Sequence, residues 1–142
     1  MSSVVISGDT SGSITLAAPS VAGSNVLTLP TATSTLSVLG TAQTYTAPQR
    51  GTITSNGASL SFNMNRTDNF SVTPTATGAL TFTNITAGQS GYILLVNSSN
   101  YAITAGAGTK VTSSLLATIS TTGTYLISYF SDGTNVYLTA SG

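Results

Sequence analysis

The sequence predicts an all-β protein: an antiparallel, jelly-roll-like β-sandwich preceded by an extended N-terminal β-arm. Three observations carry that expectation. Apolar and polar residues alternate strictly in short runs such as Ser59-Leu60-Ser61-Phe62-Asn63-Met64, and period two means a sheet with one dry face and one wet face. Turn-forming clusters recur at intervals of about 10 residues, the spacing of sandwiches and barrels. No stretch shows a helical period. The centre of the pattern is Gly91-Tyr92-Ile93-Leu94-Leu95-Val96, the longest run of large apolar residues. It is bounded by turn formers and reads as a strand covered on both faces.

In chain order, residues 1–45 read as a distinct β-rich arm for oligomerisation and attachment. Val4 and Ile6 alternate with Val5, Ser7 to Gly12 turns, and Ile14-Thr15-Leu16 follows; Leu27-Thr28-Leu29-Pro30 and Thr35 to Leu39 add two further short strands. Each strand has only two or three apolar residues, and a two-stranded ribbon cannot build a core. The arm must therefore lie against a sheet or against neighbouring copies, which places Ile14, Leu16, Leu27 and Leu29 at a subunit or attachment interface. Residues 46–142 form the predicted sandwich domain, entered through a polar linker around Pro48.

Within that domain the spacing predicts eight or so strands. Asn56-Gly57 is a tight-turn signal ahead of Leu60, Phe62 and Met64. Phe70 and Val72 continue the alternation, Pro74 to Gly78 turns, and Leu80 and Phe82 resume it. After the central run come Tyr101 to Thr104, a glycine-rich turn at Gly106 to Gly108, and a strand over Leu115 to Ser120. Tyr125, Ile127 and Tyr129 then alternate with Leu126, Ser128 and Phe130, and Asp132-Gly133 closes a hairpin onto Val136-Tyr137-Leu138.

Composition limits function. Charged residues make up 4% of the 142-residue chain and the net charge is zero, against roughly 25% charged in ordinary soluble domains. Leu, Ile, Val and Phe exceed the ~20% below which a core fails. The chain should fold, and with little charge repulsion it should associate. Three basic residues, Arg50, Arg66 and Lys110, cannot neutralise enough phosphates for useful nucleic-acid affinity. There is no cysteine and no histidine, so disulfides, thiolate metal sites and the usual neutral-pH base are not expected. No apolar run approaches the ~20 residues that span a bilayer, and Met1 is followed by neither a basic nor a long apolar segment, so no leader is expected.

Candidate chemistry is sparse. The side-chain carboxylates are Asp9, Asp68 and Asp132. Asp132 precedes glycine in a hairpin turn and Asp9 sits in a Gly-Asp-Thr-Ser-Gly turn; Asp68 lies near Arg66, where a surface ion pair is the default. Glycoside hydrolysis needs two carboxylates flanking one bond, so catalysis is not expected and no catalytic, cofactor or metal residue is assigned. Gly106-Ala107-Gly108-Thr109-Lys110 lacks the residue order of a phosphate loop and no helix is expected after it. The Asn-Xaa-Ser/Thr matches at Asn65, Asn69, Asn84 and Asn97 are ordinary in a chain that is roughly a third Ser and Thr. The six tyrosines offer a sugar-binding platform, against which the expectation is that Tyr125, Tyr129 and Tyr137 close the sandwich or a subunit contact.

Two stretches carry a resemblance. Ser7-Gly8-Asp9-Thr10-Ser11-Gly12-Ser13-Ile14-Thr15-Leu16-Ala17-Ala18-Pro19 with Ala22 to Pro30 resembles the N-terminal segment of many tailed-bacteriophage fibre and decoration-type proteins. Gln49 to Thr54, Asn84 to Gly91 and Ser131 to Thr134 resemble a second module of the same proteins. The resemblance implies a non-enzymatic virion structural protein, usually homotrimeric, without cofactors. The chain departs from long fibres in having no shaft or coiled coil between the modules. That favours a capsid cement or decoration protein on the capsid surface, with the major capsid protein as partner. The alternative is a short tail fibre or tail-surface adhesin, with tail proteins and a host surface glycan as partners. Neither nucleic acid nor membrane is an expected partner.

Overall fold

The computed structural model describes residues 3–7, 9–17, 20–21, 23–24 and 48–140. The chain divides into two units, Met1–Thr44 and Tyr45–Gly142. In the first, β1 (Ser3–Ser7) and β2 (Ser13–Ala17) form an antiparallel hairpin with Val4 opposite Leu16 and Ile6 opposite Ile14. The turn passes through Gly12 at φ +81°, a left-handed conformation that glycine adopts without a Cβ clash. Val4, Val5, Ile6 and Leu16 are all half or more exposed.

The second unit is all-β, and its strands stack as rungs. β3 (Ile53–Ser55), β5 (Asn69–Val72) and β7 (Ser90–Asn97) pair in parallel on one side. β4 (Ser61–Asn63), β6 (Gly78–Thr83) and β8 (Ile103–Ala105) pair in parallel on the other. Each consecutive pair, β3 with β4, β5 with β6 and β7 with β8, makes one rung of a solenoid-like stack. The chain then adds β9 (Thr109–Lys110), α1 (Ser113–Ile119), β10 (Gly123–Ser131) and β11 (Val136–Ala140). The larger sheet has the order β3-β5-β7-β10-β11-β9 and the smaller one β4-β6-β8.

Three expectations are corrected here. The antiparallel jelly roll gives way to parallel rungs, and antiparallel pairing in this unit is confined to β7–β10 and β10–β11. The turns explain the difference: those at Asn56–Ser59 and Thr73–Thr77 carry the chain across to the opposite sheet, so each strand meets its neighbour one rung later rather than across a hairpin. Asn56 holds the first of these turns, its amide donating to the Ser59 carbonyl at 2.6 Å and the Ser61 carbonyl at 2.7 Å. Second, Leu115 to Ser120 belongs to a helix, not a strand. Thr112 caps it by accepting from the Leu115 N–H, and Leu115, Leu116 and Ile119 turn one helical face to the core. Third, β7 is covered on one face only: Ile93 and Leu95 are fully buried, whereas Tyr92 is 53% and Leu94 40% exposed.

The core lies between the two sheets. Phe62 and Phe82 from the smaller sheet meet Phe70 and Tyr129 from the larger, with ring centroids 5.2 to 6.5 Å apart, the separation at which tilted aromatic pairs attract. Leu80, Ile93, Leu95, Ile119, Ile127 and Val136 complete a fully buried layer. Asn97, a fully buried amide, is hydrogen-bonded throughout. Its Nδ2 donates to the carbonyls of Tyr101 at 2.8 Å and Ile119 at 3.0 Å, and its Oδ1 accepts from the Tyr101 N–H at 3.0 Å and the Ser99 N–H at 3.4 Å. It thereby ties the end of β7 to the 98–102 turn and to the end of α1. Ser120, the C-cap of α1, lies against β8: its hydroxyl accepts from the Ile103 N–H at 2.8 Å while donating to Leu116 O at 2.7 Å.

Candidate functional site

Alternation puts half of every strand in the larger sheet on its outer side. In the smaller sheet the outward half of β4 and β6 is Ser, Asn, Ala and Thr, but in β7 and β10 of the larger sheet it is largely apolar. Register aligns Leu94 with Leu126, Tyr92 with Ser128 and Asn69, and Phe130 with Tyr137. Leu126 and Phe130 are each 52% exposed, and Tyr137 and Ile53 also lie open on this side. The result is an outer face with exposed apolar side chains on β3, β7, β10 and β11, while β5 between the first two contributes Asn69 and Ser71.

The Tyr92 ring stands between two shallow depressions on this side. One, about 300 Å³, is lined by Gly51, Ile53, Asn69, Phe70, Tyr92, Leu94 and Leu126 and is almost wholly apolar. The other, about 310 Å³, is lined by Asp68, Asn69, Ser90, Gly91, Tyr92, Ser128 and Tyr129 and is polar. Both are at the small end of the ligand-site range. The polar cleft exists because the chain approaches itself closely: the Asp68 carbonyl accepts from the Tyr92 N–H at 3.2 Å and from the Tyr129 hydroxyl at 2.9 Å. A Cβ on Gly91 would stand 1.6 Å from that carbonyl oxygen, so only glycine fits. Tyr129 is pushed up to about 12, by burial first and by the Asp68 charge second.

The Asp68 side chain takes its hydrogen bond from Gln89 Nε2 at 2.9 Å, where the sequence pointed to Arg66. With a carboxylate, a carboxamide at Asn69 and a half-exposed tyrosine ring, the cleft can hydrogen-bond hydroxyl groups and stack against a flat apolar ring face. It brings together no nucleophile and base. Asp132 is a turn residue. It accepts from the N–H groups of Asn135 at 2.7 Å and Thr134 at 2.8 Å and from the Tyr137 hydroxyl at 2.9 Å, bonds that pull it down to about 2 and raise Tyr137. Asp9 sits in the other unit. Among the described residues no group of three or more His, Cys, Asp or Glu side chains could hold a metal ion.

Comparison of the chain with family models, with curated proteins and with solved structures finds no match. The site therefore rests on its geometry.

Of the four expected interface residues, Leu16 is 50% exposed on β2 and Ile14 pairs with Ile6 in the same hairpin; Leu27 and Leu29 lie outside the described residues. The three tyrosines separate. Tyr129 is in the core, and Tyr125 packs against it with its hydroxyl 2.7 Å from the Thr121 hydroxyl. Tyr137 lies on the outer face. Sequence reasoning missed that face as a surface. Its signal is present, since β7 and β10 carry apolar residues at both parities, but such a run looks the same in sequence whether its cover comes from within the chain or from outside it. The 106–110 loop is a turn into β9, with Gly108 at φ +74°, and α1 begins three residues after it; seven residues long, it provides no phosphate site.

Proposed function

We propose that the chain is a non-enzymatic structural protein of a tailed-bacteriophage virion, a homotrimeric cement or decoration protein that sits on the shell and braces neighbouring major capsid proteins. The observation that carries this reading is the β1–β2 hairpin. It carries the Ser7–Ala17 stretch on which the resemblance rests, and it leaves Val4, Ile6 and Leu16 exposed. A two-stranded ribbon gains too little from its own contacts to offset ordering that costs about 1–2 kcal/mol per residue, so the hairpin needs a surface to lie against. Its role is attachment, while the solenoid-like unit presents the outside of the particle. A low charge and a surface of hydroxyls suit a subunit that functions packed among others.

A second reading, a tail-surface adhesin for a host glycan, is favoured by the polar cleft beside Tyr92, where Asp68 and Asn69 are placed to meet sugar hydroxyls. Labelling intact particles with antibody against this chain, viewed by electron microscopy, tests both. Label across the shell is expected; label confined to the tail overturns the cement reading in favour of the adhesin, and particles without label overturn both. A chain beginning at Gln49 should remain soluble and β-rich yet fail to decorate particles lacking the native protein. Binding as tight as that of the full chain would move the attachment surface to the solenoid-like unit.

A further inference from the structure

We propose that Asn56 is a modification site of the first rung: the closed turn holds it as the amide, and once the turn opens it deamidates to a product that cannot close again. The inference is independent of any role in a virion.

The chain has one Asn-Gly pair, Asn56-Gly57, and its other eight asparagines precede residues that carry a side chain. Glycine places no Cβ beside its own nitrogen, so that nitrogen is free to reach the Cγ of the asparagine before it. In the reaction the Gly57 nitrogen attacks Asn56 Cγ. The new C–N bond closes a succinimide ring as the Cγ–Nδ2 bond breaks, the Gly57 N–H proton passes to the departing nitrogen, and ammonia leaves. Water then opens the ring at one carbonyl or the other, giving aspartate or isoaspartate. Water is the sole co-reactant.

Half of what the reaction needs is in place. Gly57 is exposed at φ +59°, and among the described residues its N–H has no hydrogen-bond partner. What is withheld is freedom at Asn56. Its Nδ2, the leaving group, donates to Ser59 O at 2.6 Å and to Ser61 O at 2.7 Å. Its carbonyl accepts from the Ser59 N–H at 3.0 Å, and its N–H donates to Ser71 O at 2.7 Å. The side chain and the main chain that must turn to bring the reacting atoms together are therefore both tied down. Cyclisation waits on opening of the turn, and the location favours opening. β3 and β4 are the outermost strands of their sheets and Ile53 is 68% exposed; such end elements open locally at lower cost than a packed centre.

The product fits the turn worse than the amide. An aspartate carboxylate has no N–H to give, so it would meet the Ser59 and Ser61 carbonyls oxygen to oxygen and leave both without their side-chain donor. Isoaspartate also lengthens the main chain by one carbon. That carbon enters between the Asn56 N–H bond to Ser71 O and the Gly57 carbonyl, which accepts from the Thr73 N–H at 2.8 Å. Those two bonds seat the first turn on the second rung, and the added carbon takes them out of register. Opening followed by reaction is thus one-way.

The test holds the full chain in mildly alkaline buffer, native and in guanidinium, and follows each asparagine by peptide mass mapping with isoaspartate-specific enzymatic methylation. In guanidinium Asn56 should convert ahead of every other asparagine, and in the native chain it should convert more slowly by roughly tenfold or more. Equal rates in the two states overturn the protection. Another asparagine converting as fast as Asn56 in guanidinium overturns the choice of site. The product is tested with Asn56→Asp, which should unfold at a lower urea concentration than the native chain; an unchanged midpoint overturns the one-way step. Should that variant not fold, the partly converted native chain replaces it. Hydrogen exchange at the Ser59 and Thr73 amides should be faster in the converted fraction, and equal protection in both fractions overturns the inference.

Discussion

Replacing Asn97 should uncouple β7 from α1. The side chain is fully buried and makes four hydrogen bonds. Asn97→Ala removes all four and leaves the buried Ile119 carbonyl without its side-chain donor, while the groups of Tyr101, only partly buried, recover some bonding to water. A buried group left unpaired costs about 1–3 kcal/mol and an ordinary hydrogen bond contributes about 0.5–1.5 kcal/mol, so a loss of about 3 kcal/mol is expected. For a unit of this size that lowers Tm by roughly 12–24 °C. Asn97→Asp is the sharper test. An ionised carboxylate would face two carbonyl oxygens where the amide donated, so burial and repulsion raise its pKa above the ordinary ~3.9. A folded-state pKa above the unfolded one means that stability is highest below about pH 4 and declines as pH rises through the folded value. Urea denaturation followed by circular dichroism, repeated between pH 3 and 7 (roughly the span set by that shift), measures both effects. The reasoning is refuted if Asn97→Ala costs under about 1 kcal/mol, or if the acidic variant follows the pH profile of the native chain.

Three further outcomes are expected. Gly91→Ala should destabilise by about 3 kcal/mol or more, because the new Cβ would strike the Asp68 carbonyl at 1.6 Å; a native-like urea midpoint would contradict the close approach. Tyr129, raised from 10.0 to about 12, favours its neutral form in the folded state, so its contribution is intact below pH 10 and lost as pH rises toward 12, which tyrosinate absorbance during alkaline unfolding should register last among the tyrosines. Asp132, lowered from 3.8 to about 2, contributes stability above pH 3.8 that is lost as pH falls toward 2, and Asp132→Asn should flatten that acid limb in thermal melts.

Much of the β content was legible because alternation reports burial directly. Leu60, Phe62, Leu80, Phe82, Ile127 and Tyr129 sit on the faces that their spacing assigned, and Asp132-Gly133 closes the expected hairpin. Strand partners were not legible, since period two says which side of a strand is dry and nothing about whether its neighbour runs parallel. Thr73 to Thr77 is a good turn in either topology; only the packing of Phe70 and Phe82 on opposite sheets decides that it crosses rather than returns. The helix was missed because Leu115, Leu116 and Ile119 fit a short apolar strand as well as one helical face, and the Thr112 cap was the overlooked cue. The outer face shows the same ambiguity in function: Tyr92 and Leu94 demand cover, but a sequence does not say which molecule supplies it.

The hydroxyl of Ser120 on Ile103 has a consequence for growth. A stack of parallel rungs presents strand edges at each end, and a unit with two such ends can join head to tail without limit. Here α1 lies against β8, and β7 passes into antiparallel strands that end on the two-residue β9, so the parallel stack stops at that end. At the other end β3 and β4 remain the outermost strands of their sheets. Among the described residues the two ends of the stack are thus unlike, and only one of them presents the parallel strands that a further rung would repeat, which limits head-to-tail growth of this unit in a chain with almost no charge to keep it apart from its neighbours.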